Sequence, residues 1–262
     1  METNDTIGVV LSQQNNGVLT LTINRPDRRN ALSDEVVGAL KAAVESARVD
    51  PTVRVIVITG SGDRAFCAGG DLSPGSGGLL QRHDQRGGFV ELLQALWRVG
   101  KPTVARVNGH ALGGGFGLVL ACDLAVATDS AVLGTPEIDV GLFPMMIMAL
   151  IHRSLPPKRT LEMMLMGRRI GAAQAYDWGL VNAVVPASEL DTQVAEITTR
   201  LCSVSPAILR LGLESYHTMA DMHQDEALRF LQSQLTINTL CDDAAEGVGA
   251  FLAKRPPEWK GR

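Results

Sequence analysis

One short run of β-branched residues, VRVIVITG at positions 53–60, constrains the fold of this chain most strongly. A nearly continuous apolar run of this length predicts a strand buried on both faces, as in the parallel sheets of α/β proteins. Further strand patterns lie at 17–26, 102–109 and 123–128, with helical spacing between them. Because strands alternate with helices, the chain is predicted to have an α/β fold with crossover connections between parallel strands.

Two predicted helices have recognisable N-terminal caps. Apolar residues recur at helical spacing over 33–50, and Ser33 is a candidate N-cap for this segment. Ser205 followed by Pro206 predicts another helix start, since proline suits the first helical position. From about residue 187 onward the pattern is mainly helical.

Two other local patterns carry predictions about the chain. Asp243 and Glu246 have the spacing of a capping box, which predicts a helix start at Asp243. The stretch 73–88 is polar and rich in glycine, and it predicts a mobile loop near a site.

Composition bounds the class of protein. The chain has 262 residues, 45% of them hydrophobic and 20% charged, which predicts a soluble globular protein with one sizeable core. The net charge of −4 argues against a nucleic-acid partner, because a nucleic-acid binder needs a basic face. Two small basic clusters are compatible with small anionic partners such as phosphates. Their members are Arg25, Arg28 and Arg29, and Arg168 and Arg169.

The N-terminus and the cysteines bear on location. The first ten residues have neither a basic segment nor a long apolar one, so no signal peptide is predicted. The apolar run at 111–122 is shorter than the roughly 20 residues of a membrane span, and no membrane partner is predicted. The cysteines have no metal-site spacing, so we expect no metal and a reducing, cytoplasmic location; they are Cys67, Cys122, Cys202 and Cys241.

Two glycine-rich segments follow predicted strands. They are DRAFCAGGDL at 63–72 and LGGGFGLVLACD at 112–123, the second of which opens a predicted helix. Two such turns can direct two backbone N–H groups at one oxygen atom and so form an oxyanion hole. The alternative is that the glycines only allow two elements to pack closely.

A third segment, LGTPEIDVGLFP at 133–144, places a glutamate directly after a proline. Glu137 is a candidate acid or base, and the alternative is a solvated acid at a helix start. Asp139 would share a face with Glu137 on an extended segment and could assist it. Asp123 is predicted to fix a turn or cap, and Cys67 to be structural because no histidine in the motifs pairs with it.

In order and spacing, these segments resemble the enoyl-CoA hydratase/isomerase (crotonase) family over nearly the whole chain. The matching motifs are NRPDRRNAL, AFCAGGDL, VNGHALGGGFGL with ACDLAVA, TPEIDVGLFP, GRRIGAAQAYDWGLVNAVVP and FLAKRPPEWK. The resemblance implies a crotonase-like spiral of ββα units over 1–200. It also implies a C-terminal helical oligomerisation region over 201–262, and a homotrimer or a dimer of trimers.

The resemblance also assigns the site. The oxyanion N–H groups fall on Gly70 and Gly114, and the acid/base falls on Glu137. The substrate is an acyl-CoA thioester, so coenzyme A is part of the substrate and no separate cofactor is implied. The residues implied in substrate binding are Arg28, Asn30, Ala31, Ala68, Asp71, Leu72, Gly117, Met145 and Lys254, the last of which meets a CoA phosphate, often that of a neighbouring subunit.

The chain departs from the family's hydratase pattern at Gly117, where a water-positioning glutamate is expected. With one carboxylate left, the residues slightly favour double-bond isomerisation, with hydration close behind because some members that are called hydratases also lack that glutamate. A hydrolase of 3-hydroxyacyl-CoA type is a further alternative, although Met145 stands where those enzymes have an aspartate. The last alternative is a catalytically silent homologue that binds acyl-CoA. Gly117 is expected to face the space that a hydratase's carboxylate would fill.

Methionines are frequent in the segment that follows Glu137. A set of them predicts an apolar wall that lines an acyl pocket or fills the core; its members are Met145, Met146, Met148, Met163, Met164 and Met166.

Overall fold

The computed structural model describes residues 8–71 and 79–262. The strands are β1 (Val10–Asn15), β2 (Val18–Ile23), β3 (Val55–Gly60), β4 (Ala65–Cys67), β5 (Thr103–Val107), β6 (His110–Leu112), β7 (Leu124–Thr128), β8 (Val132–Gly134), β9 (Arg169–Gly171) and β10 (Ala183–Val185). The helices are α1 (Asp34–Val49), α2 (Leu79–Arg98), α3 (Gly114–Ala121), α4 (Met145–Ser154), α5 (Pro157–Leu165), α6 (Ala172–Asp177), α7 (Leu190–Cys202), α8 (Pro206–Met219), α9 (Gln224–Leu240) and α10 (Asp242–Leu252). Short 3₁₀ helices span Pro26–Arg28, Pro136–Val140 and Ala187–Glu189.

The strands form two sheets that share a repeated unit. The six-stranded sheet has the order β1-β2-β3-β5-β7-β10, and the four-stranded sheet has the order β4-β6-β8-β9. Only the β1–β2 and β8–β9 pairs are antiparallel among the described strands. The pairs β3–β4, β5–β6 and β7–β8 each give one strand to each sheet and are followed by helices. This ββα repeat confirms the predicted α/β spiral.

The buried strand predicted at 53–60 and the first predicted helix cap are both confirmed. Every residue of β3 is buried, as expected for a strand covered on both faces. The Ser33 hydroxyl accepts a hydrogen bond from the Val36 N–H at 3.3 Å, which confirms the N-cap of α1. Among the described residues, no helix has both the length and the apolar character that a membrane crossing requires.

The loop predicted at 73–88 is wrong for the part that the structure describes, because α2 begins at Leu79. Tertiary packing on α1 overrides the low helix propensity of the glycines in this stretch. A β-carbon on Gly88 would lie 3.6 Å from a Val37 methyl group, so the glycine gives close contact between the two helices. Residues 72–78 lie outside the described residues.

The C-terminal helices begin at α8, whose N-cap is confirmed as Ser205, which accepts from the Ile208 N–H at 3.2 Å. The capping box predicted at Asp243 and Glu246 is wrong, because Asp243 lies inside the first turn of α10. Its carboxylate is buried and accepts hydrogen bonds from the Ser205 hydroxyl and from the backbone N–H groups of Lys260 and Gly261. Asp243 therefore joins the starts of α8 and α10 to the segment after α10.

Candidate active site

The first predicted oxyanion donor, Gly70, lies in the loop that leaves β4. Leu32 forms a parallel bridge with this loop, donating its N–H to the Gly69 carbonyl at 2.8 Å and accepting from the Asp71 N–H at 2.9 Å. In a parallel ladder, the residue between two such bonds turns its own N–H away from the partner strand. The Gly70 N–H therefore points away from Leu32, at an exposed position where a β-carbon would meet no atom within 4 Å.

The second predicted donor, Gly114, is the first residue of α3. Its N–H has no acceptor inside the helix, as for every first-turn N–H group. A β-carbon on Gly114 would lie 3.7 Å from the Gly70 nitrogen, so the two peptide groups are neighbours. Within residues 8–71 and 79–262, neither N–H donates to a backbone carbonyl outside its own element. Both groups are thus available to one bound oxygen.

The surrounding glycines have a different role, which is close packing. Gly69 has φ +104°, and a β-carbon there would lie 3.1 Å from the Leu112 carbonyl oxygen. A β-carbon on Gly115 would collide with the Cys67 carbonyl at the end of β4. The two interpretations of the glycines therefore apply to different positions: Gly69 and Gly115 bring the turns together, and Gly70 and Gly114 face open space or other side chains.

Glu137 lies against the start of α3. It is the second residue of the 3₁₀ helix that Pro136 begins and Gly141, at φ +75°, ends. A β-carbon on Gly113 would lie 2.9 Å from Glu137 Oε1, so the carboxylate uses the room that a side chain at 113 would need. Gly113 immediately precedes Gly114, and the carboxylate therefore lies within one residue of the predicted oxyanion donor.

The electrostatic state of Glu137 is unusual. Burial raises the pKa of this carboxyl above its ordinary value. Its Oε2 atom is buried and is the one buried side-chain oxygen or nitrogen without a hydrogen-bond partner in the described chain. Unpaired buried polar atoms are uncommon and costly, and they concentrate at functional sites. A half-buried carboxylate of this kind can take and return a proton.

The space expected beside Gly117 is filled. A β-carbon on Gly117 would collide with Ile147 Cγ2 and would lie 3.7 Å from Phe89 Cζ. Ile147 and Phe89 are both buried, on α4 and α2. The expectation that Gly117 faces a vacant carboxylate position is wrong for this reason. An isoleucine side chain from the next helix takes that position.

The methionines of α4 and α5 divide between the two predicted roles. Met163 and Met164 are buried in the main core, where they fill space between elements. Met145 and Met146 are exposed at the start of α4, two and one residues before Ile147. Met145 therefore stays a candidate for contact with substrate.

Three predicted binding residues lie on two loops that are joined together. Ala68 donates its N–H to the Arg29 carbonyl at 3.0 Å, which holds the loop containing Gly70 against the segment of Arg28 and Ala31. Arg28 is exposed in that segment.

An ion pair reinforces this junction. The Arg25 guanidinium pairs with the Asp71 carboxylate at 2.8 Å and also donates to the Ala31 carbonyl. Asp71 is predicted to bind substrate, and in the structure its carboxylate helps to position the loop that contains Gly70.

Asn30 is a correction among the predicted binding residues. Its side chain is 1% exposed and cannot reach a ligand in solvent. The amide donates to the Ser61 and Ala65 carbonyls at 3.0 and 2.7 Å, and its oxygen accepts from the Arg25 N–H at 3.0 Å. Asn30 also has φ +57°, a conformation that asparagine tolerates better than most residues. Its side chain therefore stabilises the loop.

Asp139 is a second correction. The segment is a 3₁₀ helix rather than extended, so residues two apart do not share a face. The Asp139 carboxylate pairs with Arg169 at 2.9 Å, beside Gly167, and does not assist Glu137. Asp123 is structural as predicted, but it fixes neither a turn nor a cap: its carboxylate accepts from the Thr103 N–H and hydroxyl at 2.8 Å and so joins the starts of β5 and β7.

Leu72, which is predicted to bind substrate, lies outside the described residues. Lys254 is not brought to the site. Lys254 is exposed just after α10, a helix that packs mainly on α9 and α8. Cys67 is buried, and burial raises the pKa of its thiol to about 12, which suits a structural residue rather than a nucleophile.

The sequence motifs gave no indication of Ile147, Phe89, Leu32 or the loop-joining role of Arg25. Arg25 lies within the motif NRPDRRNAL, but nothing in the motif separates a structural arginine from a ligand-binding one. Ile147 and Phe89 are ordinary apolar residues in helical segments, and only their position opposite Gly117 gives them a part in the site.

The ββα spiral, the two neighbouring glycine N–H groups and a glutamate with a buried, unpartnered Oε2 atom are the features expected of the crotonase class. The family model for enoyl-CoA hydratase/isomerase matches residues 13–262, and the chain belongs to this family. The carnitinyl-CoA dehydratase of Shigella flexneri is 36% identical over 255 residues, covering 95% of this chain and 97% of that protein. The carnitinyl-CoA dehydratase of Proteus mirabilis is 35% identical over 253 residues, covering 94% and 95%.

Solved structures have the same fold. An enoyl-CoA hydratase from Mycobacterium smegmatis superposes with a TM-score of 0.92 at 33% identity, covering 96% of this chain and 98% of that chain. An enoyl-CoA hydratase from Bacillus anthracis also gives a TM-score of 0.92, at 29% identity, covering 97% and 99%.

The structural role of Asn30 can be tested by Asn30→Ala. We expect it to lower the free energy of unfolding by about 1 to 3 kcal/mol more than a control, because buried donors and acceptors lose their partners. The control is Asn16→Ala in the exposed β1–β2 turn, where asparagine also has a positive φ, of 47°. Denaturant unfolding of both variants measures the difference. Equal losses in the two variants would contradict the role assigned to the Asn30 amide.

Proposed function

We propose that this protein isomerises an enoyl-CoA thioester, moving the double bond from between C3 and C4 to between C2 and C3. Glu137 is the single acid/base in this proposal, and the Gly70 and Gly114 N–H groups bind the thioester oxygen. Membership of the enoyl-CoA hydratase/isomerase family supports the substrate class.

The proposed steps need no group beyond these three. The Glu137 carboxylate removes a proton from C2, the C2–H electrons form a C1–C2 double bond, and the carbonyl π electrons move onto the thioester oxygen, which gives a dienolate with negative charge on this oxygen. The two N–H groups stabilise that charge, and losing one donor of this kind typically costs about 3 to 4 kcal/mol of transition-state stabilisation. Glu137 then returns the proton to C4 as the C3–C4 double bond shifts, so no water is consumed.

The raised pKa of Glu137 suits this exchange. A carboxyl group whose pKa lies above its ordinary value is a stronger base and also a better match for returning the proton. The orphan Oε2 atom supports the same role, because no protein group competes with the substrate for it within the described chain.

The observation that carries isomerisation over hydration is Ile147 opposite Gly117. Hydration across a double bond is easiest with two carboxylates, one of which positions the water. Here the second carboxylate is absent, and the place beside Gly117 is occupied by a buried isoleucine side chain and approached by Phe89. An apolar wall at this point disfavours an ordered water.

Reversible hydration, or the reverse dehydration, is the second candidate. The names of the relatives favour it, since they are carnitinyl-CoA dehydratases at 35–36% identity, and solved neighbours are enoyl-CoA hydratases. In that reaction Glu137 would activate water alone. A 3-hydroxyacyl-CoA hydrolase and a silent acyl-CoA-binding homologue remain as lesser alternatives, the hydrolase because Met145 can act neither as base nor as nucleophile.

One assay separates these candidates. The purified protein is given a 3-enoyl-CoA, and formation of the conjugated 2-enoyl thioester is followed by ultraviolet absorbance. In a second arm it is given the 2-enoyl-CoA in ¹⁸O-labelled water, and the product is analysed by mass spectrometry. Isomerisation without ¹⁸O uptake supports the proposal. Fast ¹⁸O uptake with no isomerisation would overturn it in favour of hydration.

We also propose that the protein assembles as a homotrimer or a dimer of trimers through residues 201–262. Large apolar side chains on α9 and α10 are widely exposed, which is typical of surfaces covered by another chain. They are Leu228 (60%), Leu235 (64%), Ile237 (47%), Leu240 (78%), Val248 (63%), Phe251 (82%) and Leu252 (75%). Assembly would let Lys254 reach the CoA phosphate of a neighbour, with Arg28 contacting the adenine side.

A cytoplasmic location completes the proposal. All four cysteines are free thiols. This is the usual state in a reducing compartment.

Glu137→Gln tests the acid/base. We expect kcat to fall by about 10²- to 10⁴-fold with binding of a CoA ester retained, because glutamine has the shape of glutamate but cannot exchange a proton. The wild-type kcat/KM should fall as pH drops through the raised pKa of Glu137, since the carboxylate must be ionised to act as a base. Glu189→Gln, at an exposed position, is the matched control. A Glu137→Gln variant with most of its wild-type kcat would remove Glu137 from the mechanism.

The variants Gly117→Glu and Ile147→Ala test whether the Ile147 side chain beside Gly117 disfavours hydration. Gly117→Glu alone should destabilise by about 1 to 3 kcal/mol, because the new side chain collides with Ile147. Gly38→Glu is the matched control, since a β-carbon at this exposed helical glycine meets nothing within 4 Å and the change should be neutral or favourable.

Adding Ile147→Ala to Gly117→Glu should relieve the collision and raise the ratio of hydration to isomerisation. The ratio of the two kcat/KM values, compared with Ile147→Ala alone, is the measurement. If the folded double variant has the ratio of Ile147→Ala alone, the position beside Gly117 does not decide between the two reactions.

Phe251→Glu combined with Leu252→Glu tests assembly. Two charges in an apolar contact should break it, and sedimentation velocity should then show monomers where the wild type shows trimers or hexamers. Leu11→Glu, at a position of β1 that is 41% exposed, is the control that should leave the mass unchanged. An unchanged mass for the double variant would place the interface elsewhere.

A further inference from the structure

A cavity of about 410 Å³ lies at the opposite end of the six-stranded sheet from Gly70. It opens where β3 and β5 begin, whereas Gly70 and Gly114 follow the ends of strands. Its walls come from the end of α1, the turn before β5, the first turns of α8 and the chain after α10. We call it the amino-end pocket. It is lined by Arg48, Val49, Asp50, Pro51, Val53, Arg54, Val99, Gly100, Lys101, Pro102, Pro206, Ala207, Leu209, Arg210, Trp259, Lys260 and Gly261.

The lining is strongly cationic. It contains the side chains of Arg48, Arg54, Lys101, Arg210 and Lys260 and one acidic residue. In the part of the chain that the structure describes, none of these five cations forms an ion pair with a carboxylate, although arginines elsewhere on the molecule commonly do. The lining therefore holds more positive than negative charge, although Asp50 attracts Lys101, Asp243 attracts Arg54 and Glu246 attracts Lys260 without a close ion pair.

Two of the cations are held in place. The Arg54 guanidinium donates to the Val204 carbonyl at 2.6 Å and is half-buried. The Lys101 ammonium donates to the Asp50 carbonyl. Burial lowers the pKa of Lys101, and the nearby Arg54 lowers it further against the opposing effect of Asp50. Fixed cations that repel each other gain from a bound anion, because it offsets both burial and repulsion.

The neighbouring acids offset the charge of the cluster only in part: Asp243 interacts with Arg54 and Glu246 with Lys260, but both carboxylates also have other hydrogen-bond partners. The Asp50 carboxylate accepts hydrogen bonds from the Thr52 N–H and hydroxyl at 2.8 and 2.6 Å. Asp243 is 1% exposed, and its carboxylate accepts hydrogen bonds from the Ser205 hydroxyl and from two backbone N–H groups. Glu214 is a residue of α8 that lies near Gly100. It is beside the pocket and is not part of the lining. The lining itself keeps an excess of positive charge.

We propose that the amino-end pocket binds a small organic anion that carries a phosphate or pyrophosphate group. Arginine donors match phosphate oxygens in pairs, and a lysine adds a compact charge. The volume is that of a small-molecule site. Apolar walls beside the cations suit an organic part; they are Val49, Val53, Val99, Leu209 and Trp259.

A bound anion would link two parts of the molecule. Arg54 and Lys101 belong to the sheet end of the core, whereas Arg210 and Lys260 belong to α8 and the segment after α10. One ligand between them fastens the C-terminal region to the core at a point distant from the proposed catalytic residues. The site is independent of the proposed reaction, since Glu137, Gly70 and Gly114 are not part of its lining.

Calorimetric titration with inorganic pyrophosphate and with ADP, at matched ionic strength in chloride, tests the proposal on the full chain. We expect both to bind, ADP more tightly because of its organic part. Arg210→Gln and Lys260→Gln should each weaken pyrophosphate binding by roughly tenfold or more, as expected for loss of a charged contact. Melting curves establish that the variants are folded, which their exposed positions favour.

Two controls keep the result specific. Lys158→Gln removes one exposed charge outside the pocket and should bind as the wild type does. Arg28→Gln reports on the predicted CoA site. If pyrophosphate binding is absent, survives unchanged in Arg210→Gln and Lys260→Gln, or is lost only in Arg28→Gln, the proposal is overturned. ADP binding no tighter than pyrophosphate would overturn its organic part.

Discussion

The close approach of two backbone turns is the constraint on which the rest of the site depends. The end of β4 and the start of α3 touch through main-chain atoms, with no room for a β-carbon on Gly115 beside the Cys67 carbonyl. Contact at this distance places the peptide groups of Gly70 and Gly114 side by side. The parallel strands β4 and β6 bring the two turns to the same edge of the smaller sheet. The ββα repeat therefore brings together the two peptide groups of the proposed oxyanion site, and the glycines allow the turns to approach each other.

The carboxylate and its surroundings depend in turn on this contact. Glu137 lies over Gly113 in space that only a glycine leaves free, and the same burial that excludes a partner for Oε2 raises its pKa. On the other side of α3, Gly117 is in contact with Ile147. One short helix thus has the candidate acid/base near its start and a contact with an apolar side chain one turn later.

Local signals in the sequence, namely strand runs, helix caps and glycine turns, were sufficient for the class of fold, whereas the three segments of the candidate site were assigned by their resemblance to the family. The four main strands and the caps at Ser33 and Ser205 are confirmed for this reason. Local signals failed where long-range contacts decide. Glycine-rich chain after residue 79 is helical because α1 packs on it, and Asn30 faces inward because the β3–β4 turn offers two carbonyls. Ile147 could not be assigned, since nothing in a sequence states which side chain from another helix meets Gly117.

The main-chain nature of the oxyanion donors has a consequence for how such a protein changes over evolutionary time. A point mutation other than to proline leaves a peptide N–H in place, so the proposed ability to polarise a thioester survives exchanges that spare the glycines which bring the two turns together. The side chains that meet the substrate's carbon atoms have no such protection, and an exchange at Glu137 or Ile147 alters the outcome of the reaction directly. On the proposed mechanism, a lineage built on this scaffold can diversify its reactions for as long as it keeps the glycines that hold the two donors together.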